Sequence, residues 1–101
     1  SARLAGVEPP KYEDTEKSFE ELYARIDRTL EFIGTLSPAQ IDGQEDRTIE
    51  LKVGGNPMTF KGQQYLVAFA LPNFYFHVAT AYAILRHNGI DLGKRDFIGG
   101  F

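Results

Sequence analysis

Hydrophobic positions change period along this chain, and each change marks an element. In "SFEELYARIDRTLEFIGTL" the apolar residues Phe19, Leu22, Tyr23, Ile26, Leu30, Ile33 and Leu36 recur at helical spacing, while Arg25, Asp27, Arg28 and Glu31 mostly fill the other face. Ser18 with Glu21 three residues on reads as a capping box, so an amphipathic helix is expected from there. "SPAQIDG" places Ser37 and Pro38 as the cap and first residue of one short helical turn. From Thr48 the period drops to two. Ile49, Leu51 and Val53 point one way, Gly54-Gly55-Asn56 makes a turn, and Met58 and Phe60 can pair back, with Pro57 keeping the second strand at an edge. A small β-hairpin follows.

From Gly62 to Asn88 the pattern is helical again, ended by Gly89 as a C-cap, but it is apolar on nearly every side. Pro72 sits inside it, which predicts a kink or two helices meeting at an angle. Leu66, Ala70, Phe74, Ala81 and Ile84 are expected to share the face of His77. A helix that is apolar all round must be surrounded. One amphipathic helix and a hairpin cannot do that, so copies of the chain, helices preceding Ser1, or both are expected to cover it. "SARLAG" itself reads as the last turn of a helix with Gly6 in the left-handed conformation, followed by a Pro-rich connector, and "IDLGKRDFIGGF" reads as a loop with a few apolar anchors.

Composition narrows the function more than it defines it. The 101 residues suit one domain. The net charge of −3 gives no reason to expect nucleic acid or an anionic membrane as partner. Charge is split, with twelve acids against six bases up to residue 50 and two acids against five bases after it. Such a split can orient a contact without naming it. With no cysteine there are no disulfides and no thiolate chemistry within the chain. Asn73 and His77 interrupt the longest apolar run, which makes it a poor membrane span, and a soluble cytoplasmic protein is expected.

"LPNFYFHVATAYAILRHNGIDLGKRDFIGGF", together with "ARLAGVEPPKYED", "FEELYARIDRTLEFI" and "IELKVGG", resembles the bacterial domain-of-unknown-function group DUF1993 within the DinB/YfiT-like four-helix-bundle superfamily. The resemblance covers essentially the whole chain. It implies an all-α fold, an up-down-down-up four-helix bundle whose first helices precede Ser1, with residues 18–36 and 62–88 as third and fourth helices and the hairpin between them. It also implies a three-histidine metal site, with two ligands from an H-x-x-x-H pair on the fourth helix. Aligned on "LRHNG", His77 takes the place of the second histidine and Asn73 that of the first, so the pair is degenerate here.

His77 and Asn73 stand one turn apart on one helix face, as two ligands of a metal would. An amide oxygen is a poor partner to imidazole for zinc or nickel. The alternatives are a neutral core histidine bonded to Asn73, Thr80 or a backbone carbonyl, and a metal-free pocket around Asn73, His77 and Thr80. His87 lies ten residues beyond His77, about 15 Å along a helix, and suits the negative helix end. Lys94 and Arg95 lack phosphate-loop spacing and are expected to pair with acids of the first half, with Asp96 capping a turn. No catalytic residue is assigned. The expected function is a non-catalytic or ligand-binding homodimer with no required cofactor. The alternative is a metal-dependent enzyme of the superfamily's thiol-transferase or isomerase type, with His77 on zinc or nickel.

Overall fold

Gly54 (φ 56°) and Gly55 (φ 84°) both occupy the left-handed region. That is the geometry of a two-residue hairpin turn matched to the strand twist. It pairs β1 (Thr48–Val53) antiparallel to β2 (Asn56–Lys61), setting Ile49 opposite Phe60 and Leu51 opposite Met58. Asn56 belongs to the strand and not to the turn. In the computed structural model residues 1–100 are described. They divide into two compact units, Ser1–Tyr65 and the stretch from Leu66 onward.

The first unit holds the packed core. Ile49 and Phe60 are buried as a cross-strand pair, and the Tyr65 ring meets Phe60 edge-on at 6.0 Å between centroids. Ala2, Leu4 and Ala5 of α1 (Ala2–Ala5) complete the buried set, and α1 packs against α3 (Pro38–Ile41). Gly6 ends α1 at φ 70°, with its N–H bonded to the Arg3 carbonyl and that of Val7 to Ala2, a Schellman cap as expected. At the far end of the hairpin, the Gln63 N–H donates to the Glu45 carbonyl at 2.9 Å, and the Gln44 carbonyl presses on Gly62, where any Cβ would collide with it.

The helix α2 (Phe19–Gly34) starts where its cap predicts. The Ser18 hydroxyl accepts from the Glu21 N–H at 3.2 Å, while the Glu21 carboxylate reaches past the cap residue to the Lys17 N–H. The connector before it is pinned from α2. Arg25 Nη1 donates to Asp14 and Glu16 at 2.9 Å each, and the Arg25 and Arg28 guanidinium groups both lie 5.3 Å from the Tyr12 ring centre. The backbone N–H of Glu16, with help from Arg25, holds its carboxyl below the ordinary range.

After β2 the chain enters α4 (Gly62–Gln64), a π-helical stretch (Tyr65–Ala70) and α5 (Leu71–His87) without a break. Pro72 has no N–H for the carbonyl one turn earlier, and its ring crowds that position. The chain answers by widening the turns ahead of it to i→i+5 bonding. The turns from Tyr65 to Ala70 thus depart from the 3.6-residue period on which Leu66 was set on the face of His77. Gly89 (φ 87°) closes α5 in a Schellman motif, its N–H on Arg86 and that of Ile90 on Leu85. A further turn of helix, α6 (Lys94–Ile98), occupies part of the expected loop. Asp96 accepts from the Gly93 N–H at 2.7 Å, and Phe97 packs edge-on against Tyr82 at 5.1 Å. Among the described residues the ion pairs are those of Arg25.

The all-α, up-down-down-up four-helix-bundle expectation is therefore corrected. A bundle requires four long helices covering one another's apolar stripes. Here the described residues contain two helices of that length and a true two-stranded sheet, and no residue of α2 or α5 is buried. The buried side chains belong to the hairpin, to α1 and to Tyr65.

Candidate functional site

Asn73, His77 and Thr80 lie on α5 at i, i+4 and i+7, downstream of the π-helical stretch, where the helix is regular and the three share one face. All three are exposed. Among the described residues no side-chain hydrogen bond joins them, and the ring contact of His77 is with its neighbour Phe76, edge-on at 5.3 Å. The three residues thus share an exposed face of α5. His87 sits in the last turn of α5 beside Arg86, where positive charge complements the helix end.

The surroundings of this face are apolar. Phe74, Tyr75 and Phe76 are each more than half exposed, as is Ile84 further along. The continuous helix Gly62–His87 is long and apolar enough to cross a membrane by length and composition. Among the described residues no three His, Asp or Glu side chains converge as a metal site would require. His77 with Asn73 supplies one imidazole and one amide, which does not make up the donor set of a three-histidine centre.

Residues 1–98 match the family described as a domain of unknown function, DUF1993. The chain belongs to the DUF1993 family. The crystal structure of a DinB family member from Shewanella denitrificans is similar to this DUF1993 chain, with 36% sequence identity and a TM-score of 0.80, over 99% of this chain and 57% of that one. This chain therefore spans little more than half the length of that neighbour. No curated protein matches. The DinB-like assignment read from the C-terminal motif holds.

Contacts made by Arg25 and Arg47 escaped the sequence reading. Arg25 appeared only as one charge on the polar face of α2, and Arg47 drew no attention. Both act on residues far away in sequence, Arg25 on Tyr12–Glu16 and Arg47 on Gly6. No local period signals such contacts. The nearest hint was the excess of acids just before α2.

Proposed function

We propose that this DUF1993 protein is a non-catalytic, ligand-binding homodimer whose ligand surface is built around Asn73, His77 and Thr80, the remnant of a metal site. The observation that carries the reading is α5 itself. It exposes aromatic and aliphatic side chains on all sides, and a soluble protein rarely leaves so contiguous an apolar surface to water. A second copy covering one side of α5 would turn the Asn73–His77–Thr80 face into a walled site with three polar groups on an apolar background, the usual make-up of a small-molecule pocket. We place the protein in the cytoplasm. The amide and imidazole near the middle of Gly62–His87 would be costly in lipid and useful in a pocket, which supports burial against protein over a membrane span.

Sedimentation of the purified protein, with elemental analysis of the wild type and of His77→Ala, tests this. The expected result is a dimer with substoichiometric metal in both. A monomer at micromolar concentration overturns the homodimer. Stoichiometric zinc or nickel that is lost in His77→Ala overturns the non-catalytic reading and favours the metal-dependent enzyme, in which Asn73 would orient a bound group.

A further inference from the structure

A cleft lies within the first unit. It has a volume of about 380 Å³, runs between Gly6–Pro9 and β1, and is lined by Arg3, Glu8, Arg47, Glu50 and Lys52 together with apolar and backbone groups. None of its three cationic side chains has an ion pair or a side-chain hydrogen bond among the described residues. Arg25, by contrast, has two carboxylates and a carbonyl as acceptors. Arg47 is the most constrained of the three. Its Nε is shut off from solvent with no acceptor, and its Nη1 rests so closely on Gly6 that a Cβ there would overlap it.

A fixed guanidinium with unmet donors is an unfavourable arrangement. A buried donor without a partner keeps the full cost of leaving water, and more when it carries charge. An oxyanion on the outer nitrogens would give the guanidinium acceptors that it otherwise lacks, because the planar fork of arginine matches two oxygens of one carboxylate or phosphate. Glu8 and Glu50 leave the cleft with one net positive charge by residue count, which favours a single oxyanion group over a polyanion. The cleft volume falls in the range of small-molecule sites.

We propose that this cleft binds a small molecule through one oxyanion group, a carboxylate or a phosphate, held by Arg47 with Arg3 and Lys52 beside it. The test is a titration of the purified protein with sodium acetate and, separately, with inorganic phosphate at low salt, following by NMR the Nε–Hε resonance of Arg47 in the wild type and the backbone amide resonances of Gly6, Val7 and Thr48 in every variant. Saturable movement with one or both anions is expected; the anion that acts identifies the group as carboxylate or phosphate. Arg47→Gln should weaken binding by roughly tenfold or more, the loss expected for a charge-assisted hydrogen bond. Glu50→Gln removes a like charge from the wall and should tighten binding, an opposite movement that a merely damaged fold would not give. An Arg47 resonance that neither anion moves, or equal affinity across wild type, Arg47→Gln and Glu50→Gln, overturns the proposal.

Discussion

The hairpin and α5 are both rich in large apolar residues, yet they end up in opposite situations. In the hairpin Phe60 is 8% exposed, locked between Ile49 and Tyr65; in α5 Phe76 is 65% exposed and meets the ring of its neighbour His77 edge-on. The difference is one of partners within reach. A strand with period-two alternation needs one neighbour to cover its apolar face, and a two-residue turn supplies it. A helix that is apolar all round needs neighbours on several sides, and no short-range connection can supply them. Burial in this molecule follows from the range of the contacts more than from the hydrophobicity of the segment.

The largest test of that contrast is a matched pair of truncations. Phe60→Ala should lower unfolding stability by about 3–5 kcal/mol through lost burial and a cavity. In a monomeric sample Phe76→Ala should change it by roughly 0.5 kcal/mol or less. Denaturant titration of both variants checks this, and equal losses would show that α5 is covered after all. Next in size, Gly62→Ala drives a Cβ into the Gln44 carbonyl, a backbone group that cannot swing aside. A loss of about 1–3 kcal/mol is expected, read from the same titration. Removing the cap of α2 with Ser18→Ala should cost about 1 kcal/mol, visible as reduced helical circular dichroism.

The smallest effect is electrostatic. The lowered pKa of Glu16 makes its contribution complete above the ordinary carboxylate value, about 4.3, and that contribution is lost as the pH falls through the lower folded-state value. Tyr12 ring resonances should therefore move toward free-peptide values at acid pH while the Ile49 amide stays put. Glu16→Gln should abolish that movement, and a transition that survives the substitution would point to another group.

Much of the fold was legible because its signals are local. Ser18 and Glu21 marked the start of α2, Gly6 and Gly89 marked two helix ends, and the alternation from Thr48 to Phe60 marked the two strands of the hairpin, though Asn56 was read into the turn and not the strand. Where reading failed, the deciding contact was long in range or the period itself changed. Pro72 announced an irregularity without showing that the turns ahead of it would widen into the π-helical stretch Tyr65–Ala70. Asp96 was legible as a cap but not the helix it starts. The resemblance set the last two helices of a four-helix bundle in this chain; α2 and α5 stand there, but the described residues do not form a four-helix bundle. The spacing of Asn73, His77 and Thr80 sets them on one face of α5, which is all that a local period can say of them. Nothing within the chain could tell whether that face is covered.

The clamp at Gly62 bears on the order of events when the chain folds. The hairpin, the Gln63-to-Glu45 bond and the Phe60–Tyr65 contact all lie within residues 44–65, so closing them costs little loop entropy. Hairpins of this kind form within microseconds. A chain that closes this segment first has a settled seat for the start of the long helix well before the aromatic residues of α5 find anything to cover them. During that interval α5 is the stretch most exposed to aggregation and most in need of a chaperone.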